Sequence, residues 1–346
     1  MKNKRKKSRQ KIVLIAIIIL IIIAILGKER NEKKILPEIS LNGQETIELR
    51  QDEKYEEQGA KAHKKNKDLS ENIITDGEVN TSKPGTYTVK YKITDEEGKT
   101  QEVTRTVIVK EKEETEVINE LIDKQGKLGS LPVLMYHFFY NAKAGESGKD
   151  ANWTEVSDFE NQMKYLSDNE FYFPSWEAVE KYVKGEESLP TKSVVVTIDD
   201  GDESFIKYAI PIIEKYNVKA TSFVVTSWNG DWLPNQYKSD HLDFQSHSHD
   251  MHRAGANGKG RFVNLSYEEA LKDVTTSRDI IGDATVFCYP FGHYNDTAKK
   301  VLKDAGYKLS FTTNGGRVKP NMNEYELPRV RISKGISLNS FMEKVK

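Results

Sequence analysis

From Leu131 onward, compact β-type runs alternate with segments of helical periodicity, and this alternation constrains the fold more than any other feature of the chain. Residues 193–198, 220–225 and 285–289 read as buried strands. Val156, Phe159, Met163 and Leu166 recur at helical spacing, as do Phe205, Ala209, Ile212 and Ile213, where Pro211 should disturb the helix. Strands alternating with helices predict a parallel sheet or barrel. In such folds the chemistry gathers at the C-terminal ends of the strands.

The texture before Leu131 is different. A chain of 346 residues should hold about two domains, and residues 36–110 supply the other one. Period-two alternation, as in Thr86-Tyr87-Thr88-Val89-Lys90-Tyr91-Lys92-Ile93, is punctuated by Pro84-Gly85 and Glu97-Gly98, which predicts a small antiparallel all-β sandwich. The stretch resembles the bacterial immunoglobulin-like modules of cell-surface proteins. No cluster of His, Cys or acidic residues in it suggests chemistry, so it reads as a spacer rather than a site. Residues 111–130 are charge-rich, with only Val117, Leu121 and Ile122 at helical spacing, and read as a partly helical linker.

Residues 12–26 form an uninterrupted apolar run behind Lys2, Lys4, Arg5, Lys6, Lys7, Arg9 and Lys11. Residues 1–11 then read as a cytoplasmic basic tail and 12–27 as a transmembrane signal-anchor, a little short of the ~20 residues that span a bilayer. A signal peptide has the same charge layout, but small residues suited to cleavage are missing around Ile25-Leu26-Gly27-Lys28. Both readings place the rest of the chain outside the cell, either anchored by one N-terminal helix or secreted. The formal net charge of -1 argues against nucleic acid as a partner. The single cysteine, Cys288, has no intrachain partner for a disulfide and reads as a small buried residue.

The run 193–198 ends abruptly in Asp199-Asp200-Gly201. Two adjacent carboxylates at a strand exit suit a cavity better than a core, and Gly201 permits a sharp turn. Downstream, Ser246-His247-Ser248-His249-Asp250-Met251-His252 holds three of the chain's seven histidines. Imidazole and carboxylate are an ordinary ligand set for zinc, and a catalytic site of this kind leaves a position open. Spacing does not choose among His247, His249 and His252.

Thr197-Ile198-Asp199-Asp200-Gly201, the histidine segment and Phe287-Cys288-Tyr289-Pro290-Phe291-Gly292 together resemble the polysaccharide deacetylases of carbohydrate esterase family 4. The four residues between His247 and His252 bring the chain nearest the branch acting on poly-N-acetylglucosamine. That resemblance implies a distorted (β/α) barrel over residues 131–346 and hydrolysis of N-acetyl groups from N-acetylglucosamine units of an extracellular polysaccharide with a divalent metal, zinc by ligand type. It further implies Asp200, His247 and His252 as metal ligands, Asp199 as general base and the Phe291 N–H as oxyanion donor. The arginine that usually opens the third motif is replaced by Cys288, which leaves Asp199 without its usual support. No late Leu-x-His supplies an acid. Leu131-Pro132-Val133-Leu134-Met135-Tyr136-His137 resembles the starting strand of the exopolysaccharide branch, which makes His137 the expected general acid and His293 the fallback. Trp228, Trp232, Tyr289 and Pro290 are the expected sugar contacts, with Tyr237 a further aromatic candidate. Peptidoglycan N-acetylglucosamine as substrate, an ester in place of the amide, or a glycan-binding surface protein without turnover are the alternatives.

Overall fold

The computed structural model describes residues 15–27, 35–228, 232–282 and 284–346. The basic tail and the first three residues of the expected anchor lie outside them. Residues 15–27 form a helix of about 20 Å at 1.5 Å per residue, against a hydrocarbon core of about 30 Å. Among the described residues no helix is long and apolar enough to cross a membrane.

The remainder falls into two compact units divided between Glu113 and Glu114. In the first, β1 (Glu38–Leu41), β3 (Ala60–Lys64) and β4 (Lys67–Asp68) make one sheet, and β2 (Thr46–Arg50), β7 (Thr100–Lys110), β6 (Gly85–Thr94) and β5 (Ile74–Asp76) make the other. The alternation in β6 and β7 turns Val89, Tyr91, Ile93, Val107 and Val109 inward. The sandwich is not wholly antiparallel, because β2 runs parallel to β7.

The second unit begins earlier than the sequence suggests. Part of the expected linker is the helix α2 (Glu114–Gln125), counting the helix at 15–27 as α1, and Ile118 of α2 is buried with Leu128, Leu131, Val179 and Val183 in one apolar cluster. A charge-rich helix thus docks through a narrow stripe around one residue, too little signal for periodicity to expose.

Seven parallel strands close the barrel. After β8 (Val133–Tyr136), the short pair β9 (Phe138–Tyr140) and β10 (Trp153–Glu155) stands outside it, and β11 (Val195–Asp200), β12 (Ala220–Val224), β13 (Leu242–Ser246), β14 (Val286–Cys288), β15 (Leu309–Gly315) and β16 (Leu327–Arg331) continue it. β8 closes the ring by pairing with both β11 and β16. The first and last strands of the unit are therefore neighbours, and both deliver residues to the mouth next to β11. The predicted disturbance at Pro211 appears as a π-helical turn, Phe205–Ala209, ahead of the helix Ile210–Lys215, whose first turn holds the proline where no N–H is needed.

Candidate active site

Every residue of β11 is buried, so its apolar run carries Asp199 and Asp200 into the barrel mouth rather than to solvent. Asp200 has φ +76° and Gly201 φ +63°, so the chain reverses sharply. A Cβ at Gly201 would meet Val224 Cγ1 at 2.9 Å, which reserves the position for glycine.

Asp199 is not unsupported. Arg329 of β16 grips it with two parallel hydrogen bonds, Nη1 to Oδ1 at 2.8 Å and Nη2 to Oδ2 at 2.7 Å. The same guanidinium donates to Thr197 Oγ1 at 3.1 Å and the Thr312 carbonyl at 3.0 Å, and its Nη2 lies 3.0 Å from Cys288 Sγ. Burial by itself would raise the Asp199 pKa, but the charge and hydrogen bonds of Arg329 win and hold the carboxyl below the usual carboxylate range. The arginine missing from position 288 is replaced by one that enters from the last strand, beside the small thiol. The closed barrel makes this possible, since β16 lies one strand from β11.

Asp200 has the opposite environment. Burial first, then the adjacent Asp199 charge, pushes it up to about 8, and its Oδ1 is buried without a hydrogen-bond partner. That oxygen lies 3.3 Å from His252 Nε2 and 3.5 Å from His247 Nε2. His247 is buried, with Nδ1 2.7 Å from the Cys288 carbonyl. A carbonyl only accepts, so Nδ1 carries the proton and Nε2 presents its lone pair toward Asp200. Burial lowers His247 to about 3 and also lowers His252, which keeps both rings neutral near pH 7. One orphaned carboxylate oxygen and two neutral imidazoles, with ligand atoms all within 4.8 Å of one another, suit a divalent cation such as zinc. Asp199, His247 and Cys288 also approach one another. In that set, however, both carboxylate oxygens are taken by Arg329 and burial keeps the thiol protonated.

Asp200 must therefore shed a proton to accept a cation. Metal affinity is expected to rise about tenfold per pH unit up to roughly pH 8 and then level, with close to one proton released per ion at pH 7. Calorimetry in buffers of different ionisation enthalpy reads this directly, and pH-independent binding without proton release would mean that Asp200 is already ionised at neutral pH.

His247 and His252, and not His249, stand beside Asp200. Ser248, at φ +78°, turns the chain after β13, and His249 faces away to place Nδ1 3.0 Å from Thr226 Oγ1. The loop between His247 and His252 is fastened by Asp273, whose carboxylate accepts from His249 N at 2.8 Å and Asp250 N at 2.9 Å. Nothing near position 273 in the sequence marks that role.

His137, just past β8, has Nε2 3.6 Å from Asp199 Oδ2. Burial lowers its pKa against the pull of Asp199. A cavity of about 320 Å³ joins His137, Asp199, Asp200, His247, His252 and Phe291. His293 does not line it; its Nδ1 accepts from Gly260 N at 2.8 Å. The third motif forms the turn Pro290–Gly292, with Phe291 at φ +59° and its ring 4.4 Å from that of His252. A Cβ at Gly292, φ +72°, would fall 2.1 Å from Thr313 Oγ1, so only glycine closes this turn.

Tyr289 is not an open stacking face. Although it borders the cavity, its ring is fully buried among Phe262, Phe287 and Tyr294, and its hydroxyl donates to the Tyr325 carbonyl at 2.9 Å. Pro290 is buried as well. Exposed aromatic surface comes from Trp228, 5.2 Å from the His252 ring, from Phe291 and from Trp232, which pairs with Tyr237.

Residues 39–109 match the family of bacterial surface protein Ig-like domains, and residues 186–310 match the polysaccharide deacetylase family. The chain is 31% identical over 194 residues to a poly-β-1,6-N-acetyl-D-glucosamine N-deacetylase of Staphylococcus aureus, covering 51% of this chain and 67% of that protein. The Staphylococcus epidermidis protein of the same name is 28% identical over 193 residues, covering 51% and 66%. Two solved structures share the fold, each with TM-score 0.52 and 24% identity. Streptococcus pyogenes deacetylase PplD in complex with acetate covers 63% of this chain and 98% of its own, and IcaB from Ammonifex degensii covers 64% and 97%. With the aspartate pair, the two histidines and the third motif meeting at one barrel mouth, the chain belongs to the polysaccharide deacetylase family, an N-deacetylase enzyme that carries an Ig-like domain ahead of its barrel.

Proposed function

We propose that this enzyme removes N-acetyl groups from N-acetylglucosamine units of an extracellular polysaccharide, with poly-β-1,6-N-acetylglucosamine as the preferred substrate and zinc as the metal. The observation that carries the reading is the convergence of an arginine-clamped Asp199, the Asp200, His247 and His252 set and His137 on one cavity. The names of the staphylococcal relatives support the choice of glycan.

Asp200, His247 and His252 would hold the metal, which when bound supplies Lewis-acid polarisation of the acetamide and activation of a water. Asp199, kept ionised by Arg329, accepts the proton of the attacking water as the new C–O bond forms. The Phe291 N–H donates to the oxygen on which negative charge develops. When the C–N bond breaks, the proton taken up by Asp199 passes through His137, 3.6 Å away, to the departing nitrogen, leaving acetate and a free amine. Among the groups around His137, the Asp199 charge is the influence that favours the imidazolium, against burial and both nearby arginines. Trp228 and Trp232 offer faces for sugar rings.

The same reading takes residues 12–27 as a single-pass anchor with both folded units outside the cell, or as a leader that releases them. The basic flank ahead of the run supports that orientation.

The zinc-loaded protein is expected to release acetate from β-1,6-linked N-acetylglucosamine oligomers faster than from peptidoglycan. Chelation should abolish turnover, and returned zinc should restore it. Binding of these glycans with no acetate released from any of them, even with zinc, cobalt or nickel supplied, would replace the enzyme reading with that of a glycan-binding surface protein.

A further inference from the structure

β16 places two arginines on one face, since Arg329 and Arg331 are two residues apart on a strand. Arg329 is fully engaged by Asp199, Thr197, Thr312 and Cys288. Arg331 is not. It borders the catalytic cavity beside His137 and Asn152, its Nη1 donates to Asn152 Oδ1, and among the described residues it makes no ion pair. Arg331 is only half-buried, and of its five N–H donors one is engaged by Asn152, leaving others for a ligand. A charge lodged against a neutral amide in a cavity wall adds little to folding, so recognition is the better account of it.

The charges around it give that recognition a sign. Asp199 is neutralised by Arg329, and Asp200 faces the two histidines where a cation would sit. With both acids matched, Arg331 is the charged side chain of the cavity lining that is left for a ligand. An acetylated unit is neutral, whereas a deacetylated one carries an ammonium group.

We propose that Arg331, oriented by Asn152, selects the sugar adjacent to the reacting one, donating to the neutral oxygens of an acetylated unit and repelling a glucosaminium. The proposal rests on the glycan named above. Its consequence is that acetyl groups leave at spaced rather than adjacent units, so the product of one turnover protects its neighbours. For like charges a few ångströms apart at a protein surface, the discrimination after screening is on the order of tenfold.

The test compares kcat/KM of the zinc-loaded full chain on two β-1,6-linked pentamers, one fully acetylated and one with alternate units deacetylated. The native protein should prefer the first by about tenfold, with the difference mainly in KM, and added salt should shrink the ratio. Arg331→Gln should slow both reactions and bring the ratio close to one, while Arg331→Lys, which keeps the charge, should retain the preference. An unchanged ratio in Arg331→Gln, or a native ratio already near one, overturns the inference. Binding of the same pentamers to Asp199→Asn, with and without Arg331→Gln, needs no turnover. A preference lost with Arg331 there upholds the inference even if acetate is never released, whereas equal binding throughout defeats it independently of the function proposed.

Discussion

Asp199→Asn is expected to keep a full complement of metal and to lose about a thousandfold or more in kcat for acetate release, within the range of removing a general base. The substitution leaves Asp200, His247 and His252 untouched, so the three ligand atoms stay within reach of one another. In the proposed mechanism, what disappears is the acceptor for the proton of the attacking water. The amide also meets Arg329 badly, because its N–H₂ group must face one of the two guanidinium donors now bonded to Oδ1 and Oδ2. Because the fully buried Arg329 also loses its counter-charge, a stability loss of about 3–5 kcal/mol should follow, which a domain of ordinary stability survives only in part, so urea unfolding of the variant accompanies the assay. His252→Ala behaves differently. It removes one of the two imidazoles beside the orphaned Asp200 oxygen, so metal content and turnover should fall together. Elemental analysis alongside an acetate assay separates the cases. Full activity in Asp199→Asn would sink the assignment of the base.

The barrel and its centre were legible where local pattern and chemistry coincide. An apolar run that ends in Asp199-Asp200-Gly201 has few structural alternatives, and the left-handed turn at Gly201 follows from the residue type. The histidines were legible only as a group. The choice of His247 and His252 depends on the left-handed backbone at Ser248 and on the brace from Asp273, neither of which a spacing rule expresses. The aromatic residues were legible in part. Tyr289 and Trp228 are both expected sugar contacts, with the polar loop around Trp228 favouring the latter, and the Tyr289 ring is packed within a cluster while Trp228 stands open. Arg329 was missed because its partner lies 130 positions away, brought near by barrel closure between the last strand and the first. A faint signal existed. In Leu327-Pro328-Arg329-Val330-Arg331-Ile332 an arginine falls in phase with Leu327, a fully buried position, and a charge placed inward is seldom left without an opposite one.

Replacing that arginine tests the architecture most severely. Arg329→Met keeps much of the buried stem and deletes the charge, leaving the Asp199 carboxylate buried without its partner. Such a loss costs about 3–5 kcal/mol at neutral pH. The pH dependence should identify its origin. In the native protein the lowered Asp199 pKa contributes stability that is complete above the unfolded value near 4 and is lost only as pH falls through the lower folded value. Without Arg329, burial is largely unopposed and the folded pKa rises above the unfolded one. The variant then binds a proton more tightly when folded and gains relative stability on acidification. Urea unfolding at pH 7 and pH 4 should therefore show a large gap between the proteins at neutral pH and a smaller one in acid. Turnover should fall about a hundredfold or more, with the acidic limb of the rate profile shifted upward as Asp199 titrates nearer neutrality. A gap that does not change with pH would mean that Arg329 acts by packing alone. The space also allows a rescue. Cys288 Sγ lies 3.0 Å from Arg329 Nη2, so position 288 points at the volume the guanidinium vacates. Cys288→Arg on the Arg329→Met background returns the charge from the strand that usually carries it in this family. It should recover at least part of both the lost stability and the lost rate, which an arginine valued only for its bulk would not require.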